Sequence, residues 1–385
     1  MSGGTYLARR VVAGHRWRKA RSLRSRLRST SPVNLVLTGR FTAAGLGSTT
    51  DLYRAGDVFG RSWGFLHVAS TGHGSIVLTC EISGDALEDA ERAGTWVARL
   101  GLWLAMLSHE PDLVACVVSI DRGSGTSDVE VRLQLTYQVA GPHDLRDPAA
   151  QATELAARIP ELTRSLADVG RVTAATSESV RATVLAAYSP SSGSGNGTPA
   201  PARVGRGRRA VQVLDLKESW NHVGHGSERA AVSTTWSLSR LASSVVLSSA
   251  LPPLMTIPPD LAHIRVGLMA QPSSGAPSTY DPREWTGLSA GALGLRTPKG
   301  AEEDLPTPAF SMLVTATVAR QELLADAALA VRGCLPPDVQ PWLRPLYGDQ
   351  AAGFAAGLPL GLAPDEHTLP PRTVATAPEP RPGRT

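Results

Sequence analysis

The sequence predicts an α+β fold made of two similar halves in tandem. The order strand, helix, strand, strand, helix, strand occurs twice, one helix carries a clear apolar stripe, and a Ser-, Gly-, Pro- and Arg-rich run separates the halves at 189–209. That order is the split βαβ or ferredoxin-like pattern, in which helices cover one face of a sheet. A chain of 385 residues can hold two such lobes of about 130–150 residues each.

The first half contains the clearest helix in the sequence. Its apolar residues recur at steps of three and four, which places them on one face, and Pro111 ends it. We expect this face to pack as core against two strands, 75–82 and 113–120. The residues of the face are Ala93, Trp96, Val97, Leu100, Trp103, Leu104 and Leu107. The predicted elements are strand 75–82, helix 85–109, strands 113–120 and 129–139, helix 148–169 and strand 171–176.

The second half repeats the same order of elements. Its apolar strands include VSTTWSL and FSMLVTATV, which are rich in β-branched residues. The Pro-, Gly- and Ser-rich stretch 271–308 is longer than a hairpin needs, so it is predicted to be a surface insertion. The predicted elements are strand 232–238, helix 239–250, strands 262–270 and 310–318, helix 321–332 and strand 342–347.

These elements predict five divisions of the chain. The two ends and the linker have compositions typical of segments without a packed core. The divisions are a disordered basic N-terminal segment 1–57, a first lobe 58–188, a flexible linker 189–209, a second lobe 210–363 with the insertion 271–308, and a disordered tail 364–385.

Positive charge is concentrated at the start of the chain. Residues 1–50 contain ten basic residues and no acidic one, so the rest of the chain is net acidic. Such a segment fits an anionic membrane surface or a phosphate-rich polymer, and it also fits an arginine-rich start without ordered structure. The predicted contact residues are Arg9, Arg10, Arg16, Arg18, Lys19, Arg21, Arg24, Arg26 and Arg28.

No membrane-spanning helix or signal peptide is predicted. Apolar runs such as 100–107 are shorter than the roughly 18 residues that a span needs. The basic start is not followed by the apolar region of a secretory signal. Together with the basic start, the family resemblance described below implies a cytoplasmic protein that lies peripherally at the inner face of the cell membrane.

Motifs for nucleotide chemistry are missing from the sequence. Lys19, Lys217 and Lys299 are followed by Ala, Glu and Gly, so none belongs to a phosphate-binding P-loop. GxGxxG-like strings occur only in the linker, where no strand precedes them and no helix follows. HExxH and EF-hand motifs are missing as well, and the GxSxG strings at 60–64 and 287–291 do not join a predicted strand to a predicted helix, so no nucleophile elbow is predicted. The sequence predicts no enzyme activity and no cofactor.

Candidate metal ligands are weak. Glu218, His222 and His225 would share one face of a helix, but the glycines near them favour a polar loop or the start of a strand. His67 and His73 flank a predicted hairpin and are expected in an exposed turn. The three cysteines form no CxxC pair, which predicts free thiols. No metal site is predicted.

Four segments together resemble one family. They are WVARLGLWLAMLSHEPDLVACVVSI at 96–120, ESWNHVGHGSERAAVSTTWSLSR at 218–240, FSMLVTATVA at 310–319 and LRPLYGDQAAGFAAGLPLGL at 343–362. In this order they resemble the actinobacterial putative integral-membrane proteins encoded with conjugation-type, type IV-like secretion genes, which are similar to EccE of type VII secretion. The last segment also resembles the end of the N-terminal domain of large conjugative transfer ATPases, where it precedes the motor domain.

The resemblance covers roughly 58–363 and departs from the family at two places. Family members usually begin with two transmembrane helices, and they carry a longer helical insert between Ile120 and Val129. The resemblance implies a non-catalytic structural subunit of a secretion or conjugation apparatus that docks a transfer ATPase. In this interpretation Tyr347, Gln350 and Phe354 are the expected partner contacts.

Three alternatives remain open from the sequence. One is an EccE-like type VII component, and another is an enzyme with an unrecognised site. The third is a nucleic-acid-binding module that uses the N-terminal arginines. RNA-binding sheets of the RRM type need exposed aromatics on central strands, and Tyr137 and Phe310 lack the surrounding motif.

Overall fold

The computed structural model describes most of both halves of the chain. Predictions for the basic residues 1–28, for most of the linker and the insertion 271–308, and for the tail 364–385 lie outside the described residues. The described ranges are 33–43, 49–56, 61–82, 87, 89–107, 110, 112–123, 129–138, 147–190, 211–214, 216–225, 231–238, 244–256, 261–271 and 309–362.

The described ranges contain six α-helices and fourteen strands. The helices are α1 (Ala90–Met106), α2 (Pro148–Ser165), α3 (Ser177–Tyr188), α4 (Ser244–Met255), α5 (Leu324–Gly333) and α6 (Gln350–Ala356). The strands of the first half are β1 (Asn34–Ala43), β2 (Thr49–Gly56), β3 (Ser62–Val68), β4 (His73–Glu81), β5 (Leu113–Gly123), β6 (Glu130–Tyr137) and β7 (Arg171–Ala174). Those that follow are β8 (Val211–Leu214), β9 (Leu216–Ser219), β10 (His222–His225), β11 (Ala231–Leu238), β12 (Leu261–Gln271), β13 (Ala309–Val318) and β14 (Leu343–Pro345).

All fourteen strands belong to one sheet. The order is β8-β1-β2-β3-β4-β6-β5-β12-β13-β11-β10-β9, with β7 paired to β4 and β14 paired to β11. Every pair among the described strands is antiparallel except β1 with β8. The α+β class predicted from the sequence is therefore confirmed, with a large and mainly antiparallel sheet.

Strand pairing repeats between the two halves. In the first, the neighbours are β7-β4-β6-β5, and in the second they are β14-β11-β13-β12. Each half also has one further strand. β3 pairs with the part of β4 that β7 leaves free, and β10 pairs with the part of β11 that β14 leaves free. The halves meet where β5 pairs with β12, from Gly123 opposite His263 to Cys116 opposite Ala270. One sheet thus crosses the boundary between the two predicted lobes.

The two ends of the sheet are neighbours in the chain. β8 pairs with β1 at one end of the strand order and β9 pairs with β10 at the other, yet only residue 215 separates β8 from β9. Because one residue spans less than 4 Å, the two edges of the sheet must come together. The sheet therefore curls around an interior.

Each face of the sheet has its own core. Helices α1, α2, α4 and α5 accompany the larger apolar cluster, which includes alternate residues of β4, β5, β6, β11, β12 and β13. Helices α3 and α6 and the segment 357–362 belong to a second cluster on the other face. Every residue from Gln350 to Leu362 is buried, so this C-terminal segment fills the interior.

The prediction for helix α1 is confirmed. The predicted core residues of this helix are buried in the same cluster as apolar residues of β4 and β5. They are Trp96, Leu100, Trp103, Leu104 and Leu107. The Trp103 indole Nε1 also donates a hydrogen bond of 2.9 Å to Ser165 Oγ on α2. Helix α1 also packs on α4, so the two halves are joined on the helical side of the sheet as well.

All twelve predicted elements occur as the predicted type, but eight elements were not predicted. Strands β1 and β2 lie within the segment 1–57, so the prediction that this whole segment is disordered is wrong. The physical reason is that β1 is held by β2 and by β8, the latter a partner far along the chain. The other elements that were not predicted are β3, β8, β9, β10, α3 and α6.

Candidate functional site

The three candidate metal ligands of the second half do not converge. β9 and β10 form a hairpin, and His222 and His225 lie three residues apart on β10. Because side chains alternate along a strand, these two imidazoles point to opposite faces. Glu218 instead accepts a hydrogen bond of 2.9 Å from Ala351 N at the start of α6. In the described ranges no group of three His, Cys, Asp or Glu side chains could hold a metal ion.

His67 and His73 flank the β3–β4 hairpin as predicted, but the expected exposure is wrong. Both imidazoles are buried; β3 and β4 are inner strands of the sheet, and helix α2 packs on β4. Burial lowers the pKa of His67, and the negative charge of Asp51 on β2 opposes that shift. Burial thus favours the neutral form of His67.

Hydroxyl and amide side chains hold the C-terminal segment inside the sheet. Thr50 Oγ1 donates to Leu360 O at 2.8 Å, and Ser119 Oγ donates to Gly357 O at 2.5 Å. Gln134 on β6 makes two bonds, because its Nε2 donates to Leu362 O at 3.2 Å and its Oε1 accepts from Gly361 N at 2.8 Å. These bonds come from β2, β5 and β6, so one segment ties together distant parts of the sheet.

Gln350 and Phe354, two of the three predicted partner contacts, belong to this interior. Gln350 Oε1 accepts from Thr235 N at 2.7 Å, and Gln350 Nε2 donates to Thr235 O at 3.1 Å. The Phe354 ring packs edge-on against Tyr188 and His225, with centroid distances of 5.2 and 5.0 Å. Both side chains are fully buried, and only Tyr347 of the three lies at the surface.

A buried ion cluster lies where the two halves join. Asp121 on β5 accepts from Arg265 Nε on β12 at 2.6 Å, and Arg132 on β6 and His263 on β12 each lie 3.3 Å from its carboxylate. Burial alone would raise the pKa of Asp121, but Arg265, His263 and Arg132 together hold it below its usual range. The carboxylate thus remains ionised and links three strands, which is a structural role.

An exposed aromatic pair lies at the opposite edge of the second half. Trp220 occupies the turn between β9 and β10, and Tyr347 follows β14. Their exposed fractions are 71% and 49%, and their rings stack with centroids 5.8 Å apart and planes inclined by 13°. Two aromatic rings of this size at the surface leave a large apolar area in water.

The backbone around Gly348 holds this pair in place. Gly348 N donates to Trp220 O at 2.8 Å, and Gly348 has a φ of +78°, which favours glycine. A Cβ at this position would also lie 3.2 Å from the indole ring. The turn after β14 can therefore lie directly on Trp220.

Two acidic residues are near neighbours of the aromatic pair in the chain. Glu218 is exposed on β9, two residues before Trp220, and Asp349 follows Gly348. Desolvation and the negative charge of Glu218 raise the pKa of Asp349, so the two carboxylates lie close enough to repel each other. Among the described residues, no basic side chain lies over either ring of the stack. The arrangement is an aromatic platform with an acidic border.

Sequence reasoning identified Tyr347 but missed Trp220. A tryptophan in the polar run Glu-Ser-Trp-Asn-His is unusual for a core residue, and that was the available signal. The stack itself could not be predicted because Trp220 and Tyr347 are far apart in the chain and meet only when β14 pairs with β11.

Comparisons with known proteins identify no family. No protein-family model matches the chain, and no curated protein matches it. Within the described ranges, no helix is long and apolar enough to cross a membrane.

Proposed function

We propose that this chain is a non-catalytic docking subunit of an actinobacterial secretion or conjugation apparatus. In this proposal it lies peripherally at the inner face of the cell membrane and holds a transfer ATPase or another subunit of the apparatus. The main support is the exposed Trp220–Tyr347 stack. Trp and Tyr are enriched among the residues that contribute most to protein–protein binding, so an exposed pair of them suits a partner contact.

The support behind the stack suits the same role. Gly348 fixes the turn on which Tyr347 lies, and Gln350 anchors the following helix to the backbone of β11. A contact surface that is ordered before binding loses less entropy when the partner arrives. We interpret the two repeated strand orders as ferredoxin-like lobes that share one sheet and form a rigid base for the contact.

The experiment is a pull-down from membranes of the native host with the tagged full chain. Trp220→Ala and Tyr347→Ala are each expected to reduce recovery of the transfer ATPase, with an affinity loss of about tenfold or more. The control is Leu329→Ala, which removes an equally exposed apolar side chain from α5. Circular dichroism of each variant shows whether its fold is intact.

Three outcomes would contradict the proposal. Recovery of the ATPase could be the same for wild type and for both aromatic variants. The purified chain could hydrolyse ATP above background, which would favour an enzyme. Recovery of RNA or DNA alone would favour the nucleic-acid-binding alternative.

A further inference from the structure

We propose that the Trp220–Tyr347 stack, together with Glu218 and Asp349, is a receptor site for an arginine side chain of the partner. The inference rests on the docking function proposed above. It goes further because it names the chemical group that the surface recognises.

The aromatic rings provide the first part of the argument. The face of an indole or phenol ring carries negative electrostatic potential and attracts cations, and arginine is the cation most often found there. Trp220 is more exposed than Tyr347, and most of its surface remains open although the two rings are stacked. A planar guanidinium can therefore lie on the indole without displacing Tyr347.

The carboxylates provide the second part. Glu218 contacts Ala351 N through Oε1, and Asp349 makes no side-chain hydrogen bond to the start of α6. Desolvation raises the pKa of Asp349, and the negative charge of Glu218 adds to that shift. A cation between the two carboxylates would relieve their repulsion. An anionic partner would be repelled, and a purely apolar one would leave both carboxylates without a counter-charge.

The shape of the guanidinium favours arginine over lysine. Arginine can stack on a ring and at the same time donate two parallel hydrogen bonds to a carboxylate, whereas the ammonium of lysine is a compact and strongly hydrated charge. Lys217 does not take this place, because side chains alternate along β9 and it points to the face opposite Glu218. The site is thus open to an arginine from outside the described chain.

The test uses the full chain and a short acetylated peptide that contains two arginines separated by glycine and serine. The matched peptides replace arginine by lysine or by citrulline, which keeps the shape and removes the charge. Binding is followed by NMR through the indole N–H signal of Trp220, assigned with Trp220→Phe. We expect the arginine peptide to bind at least tenfold more tightly than the citrulline peptide, and more tightly than the lysine peptide.

Isosteric variants separate charge from fold. Glu218→Gln keeps an oxygen for the hydrogen bond from Ala351 N, and Asp349→Asn keeps the shape of that side chain. Together they should weaken arginine-peptide binding at least tenfold, as should Trp220→Ala. The control Asp326→Asn removes a carboxylate from the first turn of α5 and should leave binding unchanged.

The outcomes distinguish this inference from the proposed function. If ATPase recovery depends on Trp220 and Tyr347 but arginine and citrulline peptides bind equally, the docking surface stands and the arginine site is refuted. If neither recovery nor peptide binding depends on the aromatic pair, both are refuted. If removal of residues 1–28 raises the affinity for the peptide, the occupant is the chain's own basic segment, and the assignment to a partner is overturned.

Discussion

At the scale of single residues, Gln350 replaces a missing strand neighbour. β10 pairs with β11 only as far as Ser233, and β14 begins to pair at Trp236, so the backbone of Thr235 has no strand partner on that side. The Gln350 amide fills this gap with one donor and one acceptor, as a peptide group would. A side chain that looks like a surface contact in the sequence thus completes the sheet.

We expect Gln350→Ala to destabilise the fold. Thr235 O would keep its bond from Leu346 N, but Thr235 N would be left buried without a partner. An unsatisfied buried donor costs about 1–3 kcal/mol, and the free energy of unfolding in urea should fall by that amount. The control is Gln321→Ala at an exposed position, which should have little effect. Equal stability of Gln350→Ala and wild type would refute the assigned role.

His225 is expected to make stability depend on pH. Burial, with a contribution from Arg265, lowers the pKa of His225 to about 4, while in the unfolded chain it has an ordinary value near 6.5. The unfolded state therefore binds the proton more readily, and stability should fall as the pH drops from about 6.5 towards 4, by up to about 1.4 kcal/mol per pH unit.

The measurement is urea unfolding of wild type and His225→Phe at several values between pH 7 and pH 4.5. The variant should show a shallower loss, because Ser233 Oγ keeps its contact with Thr317 and a phenyl ring can still pack on Phe354. A smaller slope should remain, since burial also lowers the pKa of His67. An identical pH dependence in both proteins would mean that His225 does not titrate in this range.

At the scale of elements, helix α1 contributes to the cores of both halves because it packs on the sheet and on α4. Trp103→Ala should lower the free energy of unfolding by about 3–5 kcal/mol, since it removes a buried indole and its bond to Ser165. Leu102→Ala on the exposed side of the same helix is the control and should cost far less. Equal effects of the two substitutions would contradict the assignment of Trp103 to the core.

The repeated elements could be predicted because their patterns are local. Helix α1 has a broad apolar stripe, and β5 and β13 are apolar runs of strand length. The added strands carry weaker patterns: β10 is a run of four residues buried on both faces, and its sequence His-Val-Gly-His has no alternation. Helix α6 is a buried helix of seven residues, too short for a periodic signal. These elements depend on partners that are distant in the chain.

The candidate site, like the fold, could be predicted only in part. Tyr347 was expected to contact a partner because of the segment in which it lies, and it is exposed. Phe354 belongs to the same segment and was expected to do the same, but the interior of a curled sheet was not predicted. Thr50, Ser119 and Gln134 hold the backbone at 357–362 inside the sheet, and these partners are distant in the chain.

At the scale of the whole molecule, the two halves are joined at the centre of the sheet and again at its two outer edges. β5 pairs with β12 at the centre, and the consecutive strands β8 and β9 bring the two outer edges together. The C-terminal segment then bonds to strands of the first half from inside. Removal of β8, β9 or the C-terminal segment would therefore expose unpaired strand edges or interior polar groups, which limits how the protein can be shortened in experiments.

The basic start of the chain is expected to bind an anionic membrane surface. A truncation should remove residues 1–28 only, because β1 begins at Asn34 and pairs with both β2 and β8. We expect the full chain to sediment with vesicles that contain anionic lipid and the truncated chain to remain in solution. The scale is about 1 kcal/mol for each basic residue near the surface, and added salt should weaken binding because it screens these charges. Vesicles of neutral lipid are the control and should bind neither protein. Equal sedimentation of both proteins, or binding that does not respond to salt, would refute a role of this segment at the membrane.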